Sequence, residues 1–313
     1  MLTRFSSFFK EEAVSGLDIG EGYITAACLS FQDNGGIKID NMGWIENQPG
    51  LSDRATASLI KRLWRKSRII TNTVSFALHG PSLVMKHFKY PSLTGQELES
   101  SLRLEAEQAF QKPQEELYID WHLYTQSSGS QKGQGEEGVL VAAPKEVVDK
   151  YLSILKMAGL YPVILDAGCM AVSSLFLKVK DAYKNKAVCL VNIDGHSVDF
   201  TILSQGSYIY PRSIHSSTAP WQERTNNLIE DINDILRYYQ FKLQRQSVEK
   251  LIFTGQGSFD KKFQEDIRKN IALGVEFWNP LKDIAFKKGI SREEIETYGP
   301  IMATSIGLAM RKE

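Results

Sequence analysis

The sequence contains few of the residues that build disulfide frameworks or soft-metal sites. Its three cysteines are Cys28, Cys169 and Cys189, and each has apolar or small neighbours and no metal-type spacing. We expect buried thiols of a reducing compartment rather than disulfide partners. The five histidines are scattered, with no spacing typical of a ligand set. The sequence therefore predicts no metal site, and no set of catalytic residues stands out.

The chain also lacks a long apolar run and a net charge. No stretch reaches the roughly 20 apolar residues of a membrane-spanning helix, and residues 1–9 lack the apolar core of a secretion signal, so we expect a cytoplasmic protein. Lys+Arg and Asp+Glu each number 37, so no overall field favours nucleic acid. The densest local exception is Lys61–Arg68 (KRLWRKSR). We interpret it as the solvated face of a helix with a cationic last turn, and a contact with anionic lipid or a partner is the alternative.

What the sequence does contain is an apolar strand, an acid-and-glycine turn and a second strand, in two copies. The copies are residues 14–29 (VSGLDIGEGYITAACL) and 187–203 (AVCLVNIDGHSVDFTIL). A further Gly-rich turn joins a predicted strand to a helix at 255–257. The candidate ligand-binding residues are Asp18, Gly20, Glu21 and Gly22 in the first turn, Asn192, Asp194 and Gly195 in the second, and Gly255, Gln256 and Gly257 in the third. Facing turns of this kind can bind a phosphate chain, and tight-turn chemistry without a ligand is the alternative.

The order of predicted elements indicates an α/β protein with an inserted unit. Residues 83–159 read as strand, helix, strand, strand and helix, interrupted by the low-complexity stretch 127–138, which we predict to be a mobile hairpin loop. The predicted division is residues 1–82 plus 160–186 for the first domain, 83–159 for the insertion and 187–313 for the second domain. The repeated turn suggests that the two larger domains are duplicates with a cleft between them.

Four stretches together carry a resemblance to a known family. They are SGLDIGEGYITAACL; LRLEAEQAF with the downstream LYIDWHLY; VAAPKEVVDKYLSILKMAGLYPVILDAG; and LIEDINDILRYYQ with LIFTGQGS and FWNP. In these stretches the chain resembles the PilM-like type IV pilus assembly proteins, which are cytoplasmic members of the actin-like ATPase superfamily and are similar to FtsA. The resemblance covers nearly the whole chain. It implies an actin-like (RNase H-like) duplicated fold with an FtsA-type inserted subdomain.

The resemblance also implies a partner. PilM-like proteins bind the short cytoplasmic N-terminal segment of the inner-membrane protein PilN, in a groove that involves the inserted subdomain. The chain is therefore expected at the inner face of the inner membrane, as a scaffold of a pilus or a related secretion machine, without nucleic acid. Candidate groove residues are Phe88, Tyr90, Leu102 and Phe110, and packing in the subdomain core is the alternative for each.

The turns depart from the family pattern at several positions. Glu21 replaces a Ser, Thr25 stands where a Lys is expected, residues 192–194 read Asn-Ile-Asp instead of Asp-Ile-Gly, and Gln256 interrupts a run of three glycines. The helical segment that forms one wall of the nucleotide cleft in FtsA-like proteins is reduced to residues 213–225. Because a carboxylate repels a triphosphate, we predict that hydrolysis of ATP with Mg²⁺ has been lost. The alternatives are an active ATPase that binds ATP through backbone N–H groups, and a filament-forming protein.

Overall fold

The structure is a computed structural model and describes residues 14–33, 35–124, 135–195, 197–205, 207–215, 221–242, 247–287 and 289–311. The Phe-rich start of the chain lies outside these ranges, as does most of the stretch predicted to be a mobile loop. None of the described helices combines the length and the apolar character that crossing a bilayer requires.

The described elements are strands and helices in the alternating order typical of an α/β protein. The strands are β1 (Ser15–Ile19), β2 (Tyr23–Phe31), β3 (Ile37–Glu46), β4 (Thr73–Leu78), β5 (Val84–Lys89), β6 (Leu117–Leu123), β7 (Glu137–Pro144), β8 (Tyr161–Ala167), β9 (Val188–Asp194), β10 (Ser197–Ser204), β11 (Ser207–His215), β12 (Lys250–Thr254), β13 (Gly274–Phe277) and β14 (Ala285–Phe286). The α-helices are α1 (Asp53–Ser67), α2 (Gly95–Phe110), α3 (Lys145–Ala158), α4 (Gly168–Val179), α5 (Trp221–Arg237), α6 (Lys261–Asn270), α7 (Arg292–Tyr298) and α8 (Ala303–Ala309).

Two sheets have the same strand order, which confirms the predicted duplication. The first runs β3-β2-β1-β4-β8 and the second β11-β10-β9-β12-β13. In each sheet the first three strands are antiparallel and the last two are parallel to the central one. This is the two-domain actin-like α/β fold that the resemblance implied. In the second half only residues 216–220 separate β11 from α5, in agreement with a reduced helical subdomain.

The inserted unit is a separate three-stranded sheet of order β5-β7-β6. Helix α2 covers one face of it, and a capping box fixes the start of that helix, since Thr94 and Glu97 bond each other's backbone N–H groups. Helix α3 instead packs against α1 in the core of the first sheet, where Ile154 and Leu155 join Ile60 and Leu63. The last helix of the insertion thus packs mainly on α1 of the first domain and also contacts β7 of the inserted sheet.

Two segments of the predicted second domain pack on the first sheet. Strand β14 extends that sheet next to β3, and α8 packs on β1 and α4. The predicted segment 187–313 therefore contains elements of both larger domains, because the chain returns to the first sheet after β13. The hydrophobic periodicity of the sequence does not show that the chain returns to the first sheet, since the apolar face of α8 would suit either sheet.

The contact between β1 and α8 depends on a glycine. A Cβ on Gly16 would lie 1.9 Å from the backbone oxygen of Ser305 and 2.5 Å from the backbone nitrogen of Ala309. We expect Gly16→Ala to lower the free energy of unfolding by about 1–3 kcal/mol, since overpacking against backbone cannot be relieved by a rotamer change. Urea unfolding measures the effect. Gly95→Ala is the matched control because nothing lies within 4 Å of that position, and equal losses in both variants would contradict the prediction.

Candidate functional site

The three predicted turns meet in the cleft between the two larger sheets. A Cβ on Gly20 would lie 2.6 Å from a carboxylate oxygen of Asp194, and one on Gly22 would lie 2.4 Å from the amide oxygen of Gln256. Gly195 has a φ of +52°, and its Cβ would lie 2.3 Å from the Glu21 carboxylate. Three of the side chains that depart from the family pattern, Glu21, Asp194 and Gln256, therefore lie against a glycine of another turn.

The remaining turn residues also lie at this cleft. Gly255 has a φ of +87°, which favours glycine, and its Cβ would lie 2.7 Å from the side-chain oxygen of Asn192. Gly257 follows in a short 3-10 turn, Gln256–Phe259. The amide of Asn47 donates to the carbonyl oxygen of Gly20 at 2.7 Å, and Arg224 donates to that of Gly195 at 3.0 Å. Side chains elsewhere in the chain thus fix the first two turns.

The described residues of the turns enclose a small cavity. The cavity there is lined by Asp18, Thr25, Asn192, Asp194 and Gln256, and its volume is about 10 Å³, room for about one water molecule. Small-molecule pockets commonly measure about 300–1,000 Å³. The described lining of this cavity, which includes carboxylates and amides, does not fit ATP with Mg²⁺ in this arrangement.

A histidine that the sequence analysis did not select lies at the centre of the cleft. His79 follows β4, and its Nε2 is 2.7 Å from Asp18 Oδ1. Its Nδ1 is 3.8 Å from Asp199 Oδ2 on β10 of the other sheet. The ring lies against the start of α4, where a Cβ on Gly168 would approach His79 Cε1 to 2.0 Å. His79 therefore connects carboxylates of both larger domains.

The carboxylates shift the pKa of this imidazole. Burial alone would lower the pKa of His79, but the charge and hydrogen bond of Asp18, followed by Asp199, raise it well above the ordinary value. Burial raises the pKa of Asp194, and the Asp18 charge raises it further while His79 lowers it. The cleft thus favours a protonated imidazolium as the counter-ion of several carboxylates.

These shifts predict that the protein loses stability as the pH rises. A His with a raised folded-state pKa contributes stability below its unfolded pKa of about 6.5 and loses it as the pH rises through the folded pKa. Asp194 acts in the same direction at lower pH, because its raised pKa of about 7 favours the protonated form in the folded state. We expect the free energy of unfolding to fall from about pH 4 to 7 through the Asp194 contribution, and to fall as the pH rises from about 6.5 through the raised pKa of His79, with a smaller fall above about pH 6.5 in His79→Gln. Urea titrations across this range measure it, and parallel pH profiles for both proteins would contradict the prediction.

The same side chains bear on the prediction of no metal site. One ligand atom each from Asp18, His79 and Asp194 lie within 4.8 Å of one another, a spacing that suits a divalent cation. Scatter along the sequence had suggested that no histidine has such neighbours, and that inference was wrong because the ends of β1, β4 and β9 converge. The hydrogen bond between His79 and Asp18 already satisfies two of these groups, and a cation would have to replace it.

A second concave feature lies between the inserted sheet and the first domain. It has a volume of about 620 Å³ and is bordered by β6, β7 and β8. Strands β6 and β8 are each the outermost strand of their sheet among the described elements. Tyr118, Val163 and Leu165 line this groove and have relative exposures of 47%, 36% and 37%. We call this feature the apolar groove.

The residues predicted to line a partner groove lie elsewhere. Phe88 and Leu102 are 3% and 0% exposed in the core that α2 forms with the inserted sheet, and Tyr90 and Phe110 pack against that core. They face α2, whereas the apolar groove lies on the opposite face of the sheet. Their burial agrees with the packing alternative, and their role in a partner groove stays a prediction, since helical and strand periodicity marks a buried face but cannot tell a core from a groove.

Comparison with known proteins gives a family. A family model described as type IV pilus assembly protein PilM matches residues 16–217 and 218–313. No match is found among curated protein sequences.

Solved structures share the fold. A chain of a PilM–PilN type IV pilus biogenesis complex is 22% identical, with a TM-score of 0.81 over 96% of this chain and 99% of that one. A Bacteroides thetaiotaomicron protein with an actin-like ATPase fold is 15% identical, with a TM-score of 0.53 over 86% of this chain and 92% of that one. At such identities these likenesses establish architecture and leave function to be argued from the sites.

Proposed function

Because the chain belongs to the PilM family of type IV pilus assembly proteins, we propose that it is a scaffold at the cytoplasmic face of the inner membrane. In this role it binds the cytoplasmic N-terminal segment of a PilN-like membrane protein. The observation that carries the proposal is the apolar groove, bordered by two outermost strands and lined by exposed apolar side chains. A structural neighbour is a PilM–PilN complex.

The groove has the properties that recognition of an extended segment requires. An outermost strand offers backbone N–H and C=O groups to a further strand, and side-chain pockets read alternate residues of the segment. Along β8 exposed and half-buried residues alternate, with Val163 and Leu165 on the exposed set. Pro162 lies on the same strand, and proline is tolerated at a sheet edge. A synthetic peptide of the partner's cytoplasmic segment should bind saturably to the full chain, and absence of binding would count against the proposal.

The second part of the proposal is that the cleft no longer supports ATP hydrolysis. Its support is the contact of Asp194 and Gln256 with the glycines of the first turn, together with an imidazole already hydrogen-bonded to Asp18. These groups lie close to the turn glycines, where they would hinder the approach of a phosphate chain. The two larger domains would then be held together by their own side chains instead of a nucleotide.

We expect isothermal titration with ATP and Mg²⁺ to show no binding at micromolar concentrations and no turnover. The physical reason is that binding would require separating the turns and displacing His79 from Asp18. The variant Glu21→Ser/Gln256→Gly removes two of the obstructing side chains and is expected to bind more ATP than the natural chain. Micromolar binding with measurable turnover by the natural chain would reject the proposal in favour of an active actin-like ATPase.

A further inference from the structure

One end of the first domain carries a concentration of positive charge that the proposed function does not use. Its cations are the exposed residues Lys61, Arg62, Arg65, Lys66 and Arg68. Among the ion pairs that the described residues form, none involves one of these five cations. The chain contains no Asp or Glu from residue 54 to residue 96. The charge is therefore not neutralised locally along the sequence.

Two large, exposed side chains, Ile70 and Tyr161, lie at the same end of the first domain as these cations. Arg68 ends α1 with a φ of 56° and donates its N–H to the carbonyl oxygen of Arg65. The chain then turns so that Ile69 is buried and Ile70 is 94% exposed. Tyr161 is 70% exposed, and its N–H donates to the carbonyl oxygen of Asn72 at 2.8 Å. We call these two residues and the five cations the basic end.

The topology places the basic end away from the cleft. Helices α1 and α3 each precede a parallel strand, so their carboxyl ends lie at the amino ends of β4 and β8. The cleft lies at the opposite end, where His79 follows β4. Six residues of strand span about 20 Å, so the basic end is separate from the cleft. It does adjoin the first residues of β8, which borders the apolar groove.

Ordinary structural roles account for only part of this surface. Cations in the last turn of a helix interact favourably with its dipole, and Arg65 and Lys66 occupy the last turn of α1. Lys61 and Arg62 lie a turn earlier, where the interaction with the helix dipole is weaker. A single exposed apolar residue needs no explanation, but Ile70 and Tyr161 lie at the same end of the domain as the five cations.

We propose that the basic end is a docking surface for an anionic phospholipid bilayer. Lys and Arg side chains attract acidic headgroups, while an aliphatic side chain and a tyrosine enter the interfacial region. Nucleic acid would match the charge but leave Ile70 exposed. The contact is weak and reversible, because stable attachment to a membrane takes two signals. It does not depend on the proposed partner groove.

The test is co-sedimentation of the full chain, without any partner, with two kinds of vesicle. One contains phosphatidylglycerol and phosphatidylethanolamine, and the other contains phosphatidylcholine alone. The natural chain should bind the anionic vesicles and be released by salt. Arg62→Glu/Arg65→Glu should lower the partition coefficient about tenfold or more. The matched control is Lys261→Glu/Lys262→Glu on α6, where both lysines are also exposed, and it should bind nearly as the natural chain does.

A second variant distinguishes a loss of vesicle binding from a loss of folded protein. Ile70→Ser changes a fully exposed side chain and should weaken vesicle binding several-fold without altering thermal unfolding. The proposal is overturned if the anionic vesicles are not bound, or if both charge-reversal variants bind equally. It is also overturned if the basic-end variants abolish a dimer seen by light scattering, since the surface would then bind a second copy. Tighter binding of a single-stranded RNA, with displacement of the vesicles, would assign the surface to nucleic acid.

Discussion

Replacing Val163 and Leu165 by aspartate is expected to lower the affinity for the partner's cytoplasmic segment by about 100-fold. Both residues line the apolar groove on the outermost strand β8 and are already partly exposed. A bound segment would desolvate the new carboxylates without pairing them, and we take a loss of about 1.4 kcal/mol for each position, below the roughly 2 kcal/mol of a binding hot spot. Since about 1.4 kcal/mol corresponds to a factor of ten, two such positions give roughly that loss. Fluorescence anisotropy with a labelled peptide measures it.

The control for the groove variant is Leu104→Asp on α2. Leu104 is 54% exposed, so it undergoes the same chemical change on a helix that covers the other face of the inserted sheet. It should leave the peptide affinity and the urea midpoint unchanged. If Leu104→Asp weakens binding as much as the groove variant does, or if Val163→Asp/Leu165→Asp binds normally, the partner segment lies elsewhere.

Removing the imidazole in the cleft is expected to be the most destabilising single substitution. In His79→Ala the carboxylates of Asp18, Asp194 and Asp199 face one another without their cation. The side chains of Asp18 and Asp199 are 7% and 4% exposed, so water replaces the lost partner poorly. Breaking a buried ion pair from one side costs about 3–5 kcal/mol. Urea unfolding at pH 7 measures the loss, and His122→Ala, at an exposed position, should change little.

A double-mutant cycle separates charge from packing at this position. Asp194 has a raised pKa because burial and Asp18 disfavour its charged form. Asp194→Asn should therefore recover at least about 1 kcal/mol of the loss in His79→Ala, since one of the opposed carboxylates becomes neutral. His79→Gln keeps a hydrogen-bond donor but not the positive charge. If the Asp194 substitution recovers nothing, or if His79→Ala costs less than about 1 kcal/mol, His79 is not the counter-ion of the cleft.

The sequence predicted the candidate turns because they follow directly from local chemistry. Asp18 and Asn192 lie near the carboxyl ends of apolar strands and Gly255 directly follows one, and strand ends of an open α/β sheet converge at one edge. His79 could have been found by the same reasoning, since it directly follows an apolar strand, β4, which the structure places beside β1. It was missed because a lone histidine before a Gly-Pro turn is typical of the end of a strand and does not by itself indicate a functional site. Asp199 lies within a strand and gives no such signal.

The apolar groove is the clearest case of a feature that the periodicity of the sequence does not indicate. Phe88, Tyr90, Leu102 and Phe110 are apolar with regular spacing, and so are Val139 and Val141, which line the groove. Both sets follow the same periodicities because a sheet buries one face against α2 and can still present apolar residues on the other. The two sets are distinguished only by the tertiary structure, in which β6 and β8 border the same groove although they belong to different sheets.

The sequence alone determined the duplicated α/β architecture, the inserted unit and the family, since these rest on the order of strands and turns and on motifs local in the chain. The tertiary structure decided how closely the turns approach, which histidine lies between them, and where an apolar groove and a basic end are exposed. Those features depend on distances between residues from different elements. Periodicity reports which face of an element is apolar, whereas the partner of that face is set by packing in three dimensions.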